Sequence, residues 1–267
     1  MKHAPLPPRR YGAVNWLGLQ TLVLREIRRF AKVYTQTVAA PVVTTLLFLA
    51  VFVLALGNSA APAAGGVAFA EFLAPGLIMM AMTQNAFANT SSSIVIAKVQ
   101  GNIVDSLMPP LSAAELVVGF ASGGIVRGIV VGGVTAACVL PFVPLHVHSA
   151  GWIVFNGIMA SMLLSLLGVA GGVWSEKFDH IAAVTNFVVT PLAFLSGTFY
   201  TVDRLPEPWH LIALFNPFFY MIDGFRYGFI GHADAHPWIG AAVLVATNGL
   251  LGLLCLQMFR RGYKLRA

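Results

Sequence analysis

The chain has 267 residues, of which 58% are hydrophobic and only 10% are charged. A water-soluble domain carries roughly 25% charged residues, so this composition excludes a soluble enzyme or binding module and describes a single membrane domain. The net charge of +6 would suit nucleic acid, but the Lys and Arg residues gather at the two ends and beside the apolar stretches, as they do at a membrane surface, and no nucleic-acid partner is expected.

In chain order, residues 1–13 are rich in Pro and Arg and read as a disordered segment. The first apolar stretch follows a long basic segment and has no small-residue cleavage site with a polar flank behind it, so no removable leader is expected. Over 14–34 the pattern turns helical. Trp16, Val23, Ile27, Phe30 and Tyr34 share one face, while Arg25, Arg28, Arg29 and Lys32 share the other, which describes an amphipathic helix lying in the membrane interface against anionic lipids, the alternative being a polar cytosolic helix packed on a partner. Six spans follow, over 35–56, 69–92, 116–140, 152–174, 181–199 and 238–259, each long enough to cross a hydrocarbon core of about 30 Å. Between the fifth and sixth, residues 200–236 hold apolar runs over 211–222 and 225–230 that are too short to cross. They predict a re-entrant segment that stays on one side. The expected organisation is an interfacial N-terminal part over 1–34, a transmembrane domain over 35–259 and a basic tail over 260–267.

Charge sets the orientation. The N-terminal part carries seven Lys and Arg residues, the loops at Lys98 and Lys177 one each and the C-terminal tail four, while the opposite loops carry only Arg204 and Arg226. Thirteen against two predicts that both termini are cytoplasmic, in agreement with an even number of spans.

Within the spans the informative features are few. Arg127 lies in the middle of the third span, beside Gly119/Gly123 and Gly124/Gly128/Gly132 at four-residue spacing, so it is expected to point into packed protein. Two roles stay open for it: part of a transport path or coupling element, or a structural guanidinium bonded to neighbouring carbonyls. The second span places Asn85, Asn89 and Ser92 on one face, and the fifth repeats the pattern with Asn186, Thr190 and Gly197. Such faces suit a polar pathway or interhelical hydrogen bonds. Cys138 and Cys255 sit in apolar stretches as small buried hydrophobes, with no metal pattern around them. His232 and His236 have helical metal-ligand spacing, but Gly231 and Pro237 bracket them and predict a loop, so no metal site is expected. No GxxxxGK[S/T] stretch is present, so the chain offers no phosphate cradle of its own. No carboxylate lies near a span centre to relay protons. A separate energy-supplying subunit completes the machine most simply.

Three stretches carry a resemblance. The first is Phe72–Leu73–Ala74–Pro75–Gly76–Leu77, at the entry to the second span. The second runs from Gly101 through Val104, Asp105, Ser106 and Leu107 to Pro110–Leu111–Ser112. The third is Pro191–Leu192, Ser196–Gly197–Thr198–Phe199, Leu205–Pro206, Trp209, Asn216–Pro217, Tyr220, Asp223 and Arg226. On these the chain resembles the permeases of the ABC transmembrane type-2 (exporter) family, from Arg25 to the last span. Gln100 stands where the family usually has an acidic residue.

The resemblance implies an all-α polytopic fold with six spans, and a half-transporter without enzymatic activity of its own. It would pair with a second permease copy, each resting on a separate ATP-binding-cassette ATPase that holds Mg-ATP, in a bacterial inner membrane and in contact with its lipids. It implies coupling to the ATPase through Gly101, Val104, Asp105, Leu107 and Pro110. It also implies a path along the second and fifth spans, and an outer gate at Phe199, Pro206, Asn216, Pro217 and Arg226. The substrates of the family include drugs, lipids, lipid-linked glycans and polysaccharides. Other readings compete: a secondary carrier without an ATPase or a drug-efflux permease of undetermined cargo, and, more remotely, an intramembrane enzyme acting on lipid.

Overall fold

The computed structural model describes residues 12, 14–56, 66–202 and 205–265. Apart from Gly12, the predicted N-terminal segment up to Ala13 lies outside the described residues, as do the loop around Ser59, Arg204 and the last two residues of the tail.

Helix α1 (Trp16–Ala31) begins at Asn15, whose side chain accepts the Gly18 N–H at 3.0 Å, and so satisfies one of the free donors of the first turn. A turn at Lys32–Val33 leads into a π-helical segment (Thr35–Ala39), where Thr37 donates to the Phe30 and Val33 carbonyls at 2.9 and 3.1 Å, and then into α2 (Ala40–Leu56). Next come α3 (Phe69–Val99), the five-residue α4 (Ile103–Leu107), α5 (Ala113–Val139) and α6 (Ala150–Trp174). Helix α7 (Phe178–Val184) continues through a π segment (Thr185–Val189) into α8 (Thr190–Phe194). The chain ends with α9 (Glu207–Phe215), α10 (Pro217–Ile230) and α11 (Pro237–Arg261). Among the described residues there is no strand.

Among the described residues, four helices are long and apolar enough to cross a membrane by length and composition: Thr35–Ala55, α5, α6 and α11. Helix α3, at 31 residues, is roughly 46 Å long, but its run of Thr, Gln, Asn and Ser dilutes its hydropathy. The α7–α8 helix, Phe178–Phe194, is apolar but shorter. It ends before Gly197, whose φ of +75° needs a residue without Cβ. The fifth predicted span therefore stops five residues earlier than its apolar run.

Helix α3 is the axis of the bundle. Its side chains from Phe72 to Val95 are almost all buried, against α6 and α5 along its length and against α2 and α10 on its other sides. The glycines of α5 make this possible. A Cβ at Gly128 would stand 2.7 Å from Ser161 Oγ of α6 and 3.0 Å from the Met82 carbonyl of α3, while one at Gly132 would overlap the Met82 side chain. Small residues at this spacing let backbones close on one another where the lipid gives no hydrophobic drive. Interhelical hydrogen bonds finish the contact: Thr90 Oγ1 donates to the Ser165 carbonyl at 2.9 Å, and Ser165 Oγ to the Ala121 carbonyl at 2.8 Å.

The N-terminal helix departs from its predicted arrangement. The stripe of α1 that packs is Leu22, Glu26 and Phe30, which shares only Phe30 with the predicted apolar face; Val23 and Ile27 of that face are half-buried and Trp16 and Tyr34 stay exposed. Leu22 fills the space over Gly119, and Glu26 the space over Gly123. Helix α1 is thus seated on α5 by one stripe, with exposed apolar residues beside it and a basic face beyond. The predicted short apolar runs also regroup, because Asn216–Pro217 breaks them into α9 and α10 rather than at Gly224.

Candidate coupling, path and gate sites

Helix α3 ends at Val99, and Gly101, with φ of +74°, reverses the chain into α4. Pro109 and Pro110 follow, the first of them unable to extend a helix with a backbone N–H. Ser112 then caps α5 in a reciprocal box with Glu115, which satisfies two free donors at once. The result is a stiff hairpin. Val104 is 50% exposed and Met108 77%, with Asp105 exposed beside them. Leu107 turns the other way and packs, half-buried, on the apolar cluster around Leu116 and Phe120. The predicted coupling residues therefore divide: Val104 and Asp105 face outward, Leu107 faces the bundle, and Gly101 and Pro110 shape the turn.

This hairpin is bound to α1. The Asn15 N–H donates to Glu115 Oε1, Asn15 Nδ2 to the Pro110 carbonyl at 3.2 Å, and Arg25 Nη1 to Ser106 Oγ at 2.9 Å. Between α1, the end of α3 and α4 lies a cleft of about 860 Å3 whose rim carries Arg25, Arg28, Arg29 and Lys32.

Deeper in, a polar ladder joins α1, α3 and α5. Glu26, 1% exposed, accepts from Ser93 Oγ at 2.9 Å and pairs with Arg25 at 3.1 Å and Arg29 at 3.4 Å. Arg29 donates to the Asn89 carbonyl, to Asn89 Oδ1 at 3.0 Å and to Ser92 Oγ at 3.3 Å. One turn along α3, Arg127 Nη2 donates to Asn85 Oδ1 at 2.7 Å, and Asn85 Nδ2 to its own Ala81 carbonyl at 2.9 Å. A buried carboxylate is tolerable only when paired and hydrogen-bonded as Glu26 is, and a buried guanidinium only with an acceptor such as Asn85 gives Arg127.

The path candidates are consequently split. A groove of about 340 Å3 between α3 and the α7–α8 helix brings Asn85 and Ser92 together with Thr190. Asn89 is fully buried on the ladder side. Asn186 is exposed, and Gly197 lies in the turn beyond α8.

At the other end of the bundle, Arg226 is 2% exposed. It donates to the Gly197 carbonyl at 2.7 Å and lies 3.8 Å from the centroid of the Phe72 ring, a cation–π geometry. Gly76 admits the loop, since a Cβ there would meet the Thr198 carbonyl at 2.9 Å. Asn216 caps α10 through the Phe218 N–H at 3.0 Å and donates to the Leu192 carbonyl at 2.8 Å, with Pro217 in the first turn. Phe199 packs against Phe52 of α2 and Phe194 of α8 at centroid distances of 4.8 and 5.3 Å. Pro206 stands apart as the residue preceding α9. Asp223 accepts the Asp234 and Ala235 N–H groups at 2.9 and 3.0 Å, and Asp234 accepts that of Val202 at 3.0 Å. These two carboxylates, rather than the histidines nearby, fix the loop before α11.

Sequence reasoning missed Asn15, Glu26 and Glu115 as partners of the hairpin and ladder. The signal for two of them was present: Ser112-x-x-Glu115 is a capping box, and Glu26 is the lone acid in a basic helix.

The model of the ABC-2 type transporter family matches residues 18–230, which takes in the hairpin, the ladder and the helices α9 and α10. The chain is 38% identical over 255 residues to the inner membrane transport permease YadH of Escherichia coli K12, covering 94% of this chain and 98% of that protein. It is 24% identical to nodulation protein J of Rhizobium leguminosarum bv. viciae, covering 94% and 95%, and 26% identical to nodulation protein J of R. leguminosarum bv. trifolii, covering 66% and 69%. A polytopic helical membrane protein that matches the family model over most of its length belongs to the ABC-2 type transporter family.

Proposed function

We propose that the chain is the membrane-spanning subunit of an ATP-driven exporter in a bacterial inner membrane, with ATP hydrolysed as Mg-ATP on a separate ATP-binding-cassette subunit. The name of the YadH relative, an inner membrane transport permease, supports the location and the class. The observation that carries the reading is the α4 hairpin. Val104 and Met108 stand exposed beside Asp105 at the end of the bundle that the Lys and Arg pattern assigns to the cytoplasm. An apolar pair presented on a stiff, proline-terminated turn is what a docking ATPase would grip.

On this reading α3 and the α7–α8 helix join the four apolar helices as the second and fifth of six spans. Residues 200–236 form a re-entrant outer segment, and both termini are cytoplasmic. Two copies pair, and an amphipathic, lipid-linked or glycan-type substrate moves outward along the groove between α3 and α7–α8. The outer aromatic and Arg226 contacts close that path.

The test is co-purification of the tagged permease with an ATP-binding-cassette ATPase from its native cells, followed by reconstitution of both in vesicles. ATP-dependent substrate movement that needs both proteins is expected. Transport by the permease alone, driven by an ion gradient, would replace this reading with a secondary carrier.

A further inference from the structure

Helix α7 buries none of its residues, and of the whole α7–α8 helix only Val189 and Ala193 are buried. Its Ile181 stands 3.7 Å from where a Cβ on Gly171 of α6 would lie. Past that touch the helix stands off from α6 and α11, and leaves a groove of about 610 Å3. Leu167 and Ala170 of α6, Val184 and Val188 of the facing helix and Leu254 of α11 wall it.

A space with such walls does not stay empty inside a bilayer. Its lining would forgo dispersion contacts on one side, and water would find no polar partners there. A hydrocarbon chain satisfies both conditions. One end of the groove is different in kind, with Gln257 and Arg261 on the last turns of α11 and the rings of Trp174 and Tyr263 beside them. Such rings settle at the level of lipid head groups. The neighbouring cation, Lys264, is already held by Glu176 at 2.8 Å, whereas no carboxylate pairs with Arg261 among the described residues. A free guanidinium and an amide at the mouth of an apolar slot complement a phosphate diester.

We infer that this groove binds one anionic phospholipid of the surrounding leaflet, its acyl chain between α6 and α7–α8 and its phosphate on Arg261. The inference needs α6 and α11 to cross the membrane, and it does not depend on the transport cycle or the ATPase.

The test is native mass spectrometry of the full chain, released from detergent after exchange into equal phosphatidylglycerol and phosphatidylethanolamine. One retained phospholipid per chain is expected, with phosphatidylglycerol favoured roughly fivefold, the worth of one basic side chain at a charged surface. Arg261→Gln should keep a lipid but bring the preference close to parity. Val188→Trp, at a side chain already exposed on the groove wall, should remove both lipids. Leu254→Trp should do the same from the opposite wall, as a check should the first variant fold poorly. A wild-type chain that retains no lipid overturns the inference, as does an unchanged preference in Arg261→Gln or full retention in both tryptophan variants. Disulfide formation between two copies of Val188→Cys in vesicles would also overturn it, by assigning the groove to a second copy of the chain.

Discussion

Glu26 of α1 lies against Gly123 of α5 so closely that a Cβ on the glycine would overlap its own, and from there its carboxylate reaches Ser93, Arg25 and Arg29. The seat of α1 is therefore both steric and electrostatic. Gly123→Leu is expected to push α1 off α5 while leaving insertion of the spans intact, and to expose the α1–α2 turn to protease in inverted vesicles. Gly128→Leu, which drives a side chain into Ser161 and the Met82 carbonyl, should instead cost assembly of the bundle itself, seen as loss of folded protein in detergent. If Gly128→Leu assembles and transports normally, the packing assigned to this face is wrong.

The class of the fold and the close approach along α5 were legible because composition and glycine spacing act locally. The partners of the polar residues were not. Asn85 and Asn89 look alike on the α3 face, yet one receives Arg127 from α5 and the other Arg29 from α1. That pairing depends on how far α1 is rotated on the bundle, which a helical wheel of α1 alone does not fix. Glu26 defeated the wheel in a second way, since an acid in a basic helix reads as solvated until its cations and Ser93 are placed around it. Likewise the end of α8 was set by the backbone conformation at Gly197, not by hydrophobicity.

The Arg127–Asn85 hydrogen bond predicts a coupling between α5 and α3. Asn85→Leu strips a buried guanidinium of a partner, a loss of about 1–3 kcal/mol, or a fall in Tm of roughly 3–10 °C for a chain of this size. Arg127→Met should fall by a similar amount, and the double variant by less than the sum. Additive losses would show that the two side chains act separately and would favour an exposed path role for Arg127.

The crowding of Lys and Arg at the termini predicts topology. Cysteines placed at Lys2 and Arg266 should resist an impermeant reagent added outside intact cells, while those at Ser59, His148 and Glu207 should react. Labelling of either terminus would overturn the arrangement with both ends inside.

The C-terminal tail is predicted to loosen in acid. Its hydrogen bond and charge on Lys264 hold the Glu176 carboxyl below its ordinary value of 4.5, and the same partner raises the Lys264 ammonium above 10.5. A depressed carboxylate pKa gives a contribution that is present above the unfolded value and is lost as pH falls through the folded one. The tail contact should therefore persist at neutral pH and release below about pH 4.5, where protease access to the segment after Arg261 should rise. Glu176→Gln should show the released level across neutral pH, and an unchanged pH profile in that variant would count against the pair.

The last prediction concerns the α4 hairpin, where the structure separates two kinds of substitution that look equivalent in sequence. Val104, Leu107 and Met108 are all apolar. Leu107 packs on the bundle, however, while Val104 and Met108 face outward and are left half or more exposed by the described residues. A charge at Leu107 buries against Leu116 and Phe120, so Leu107→Asp should destabilise the permease itself, by the cost of an unpaired buried charge. A charge at Met108 meets only what docks from outside. Met108→Asp and Val104→Asp should leave expression, insertion and Tm unchanged, yet abolish co-purification of the ATPase and its stimulation by the permease. Ser106 and Arg25 extend the argument, because their 2.9 Å hydrogen bond ties the hairpin to α1. Ser106→Ala should keep ATPase binding but weaken the transfer of its motion, measured as ATP hydrolysis uncoupled from transport. If Met108→Asp and Val104→Asp both retain full ATPase association, the exposed face of α4 is not the docking surface.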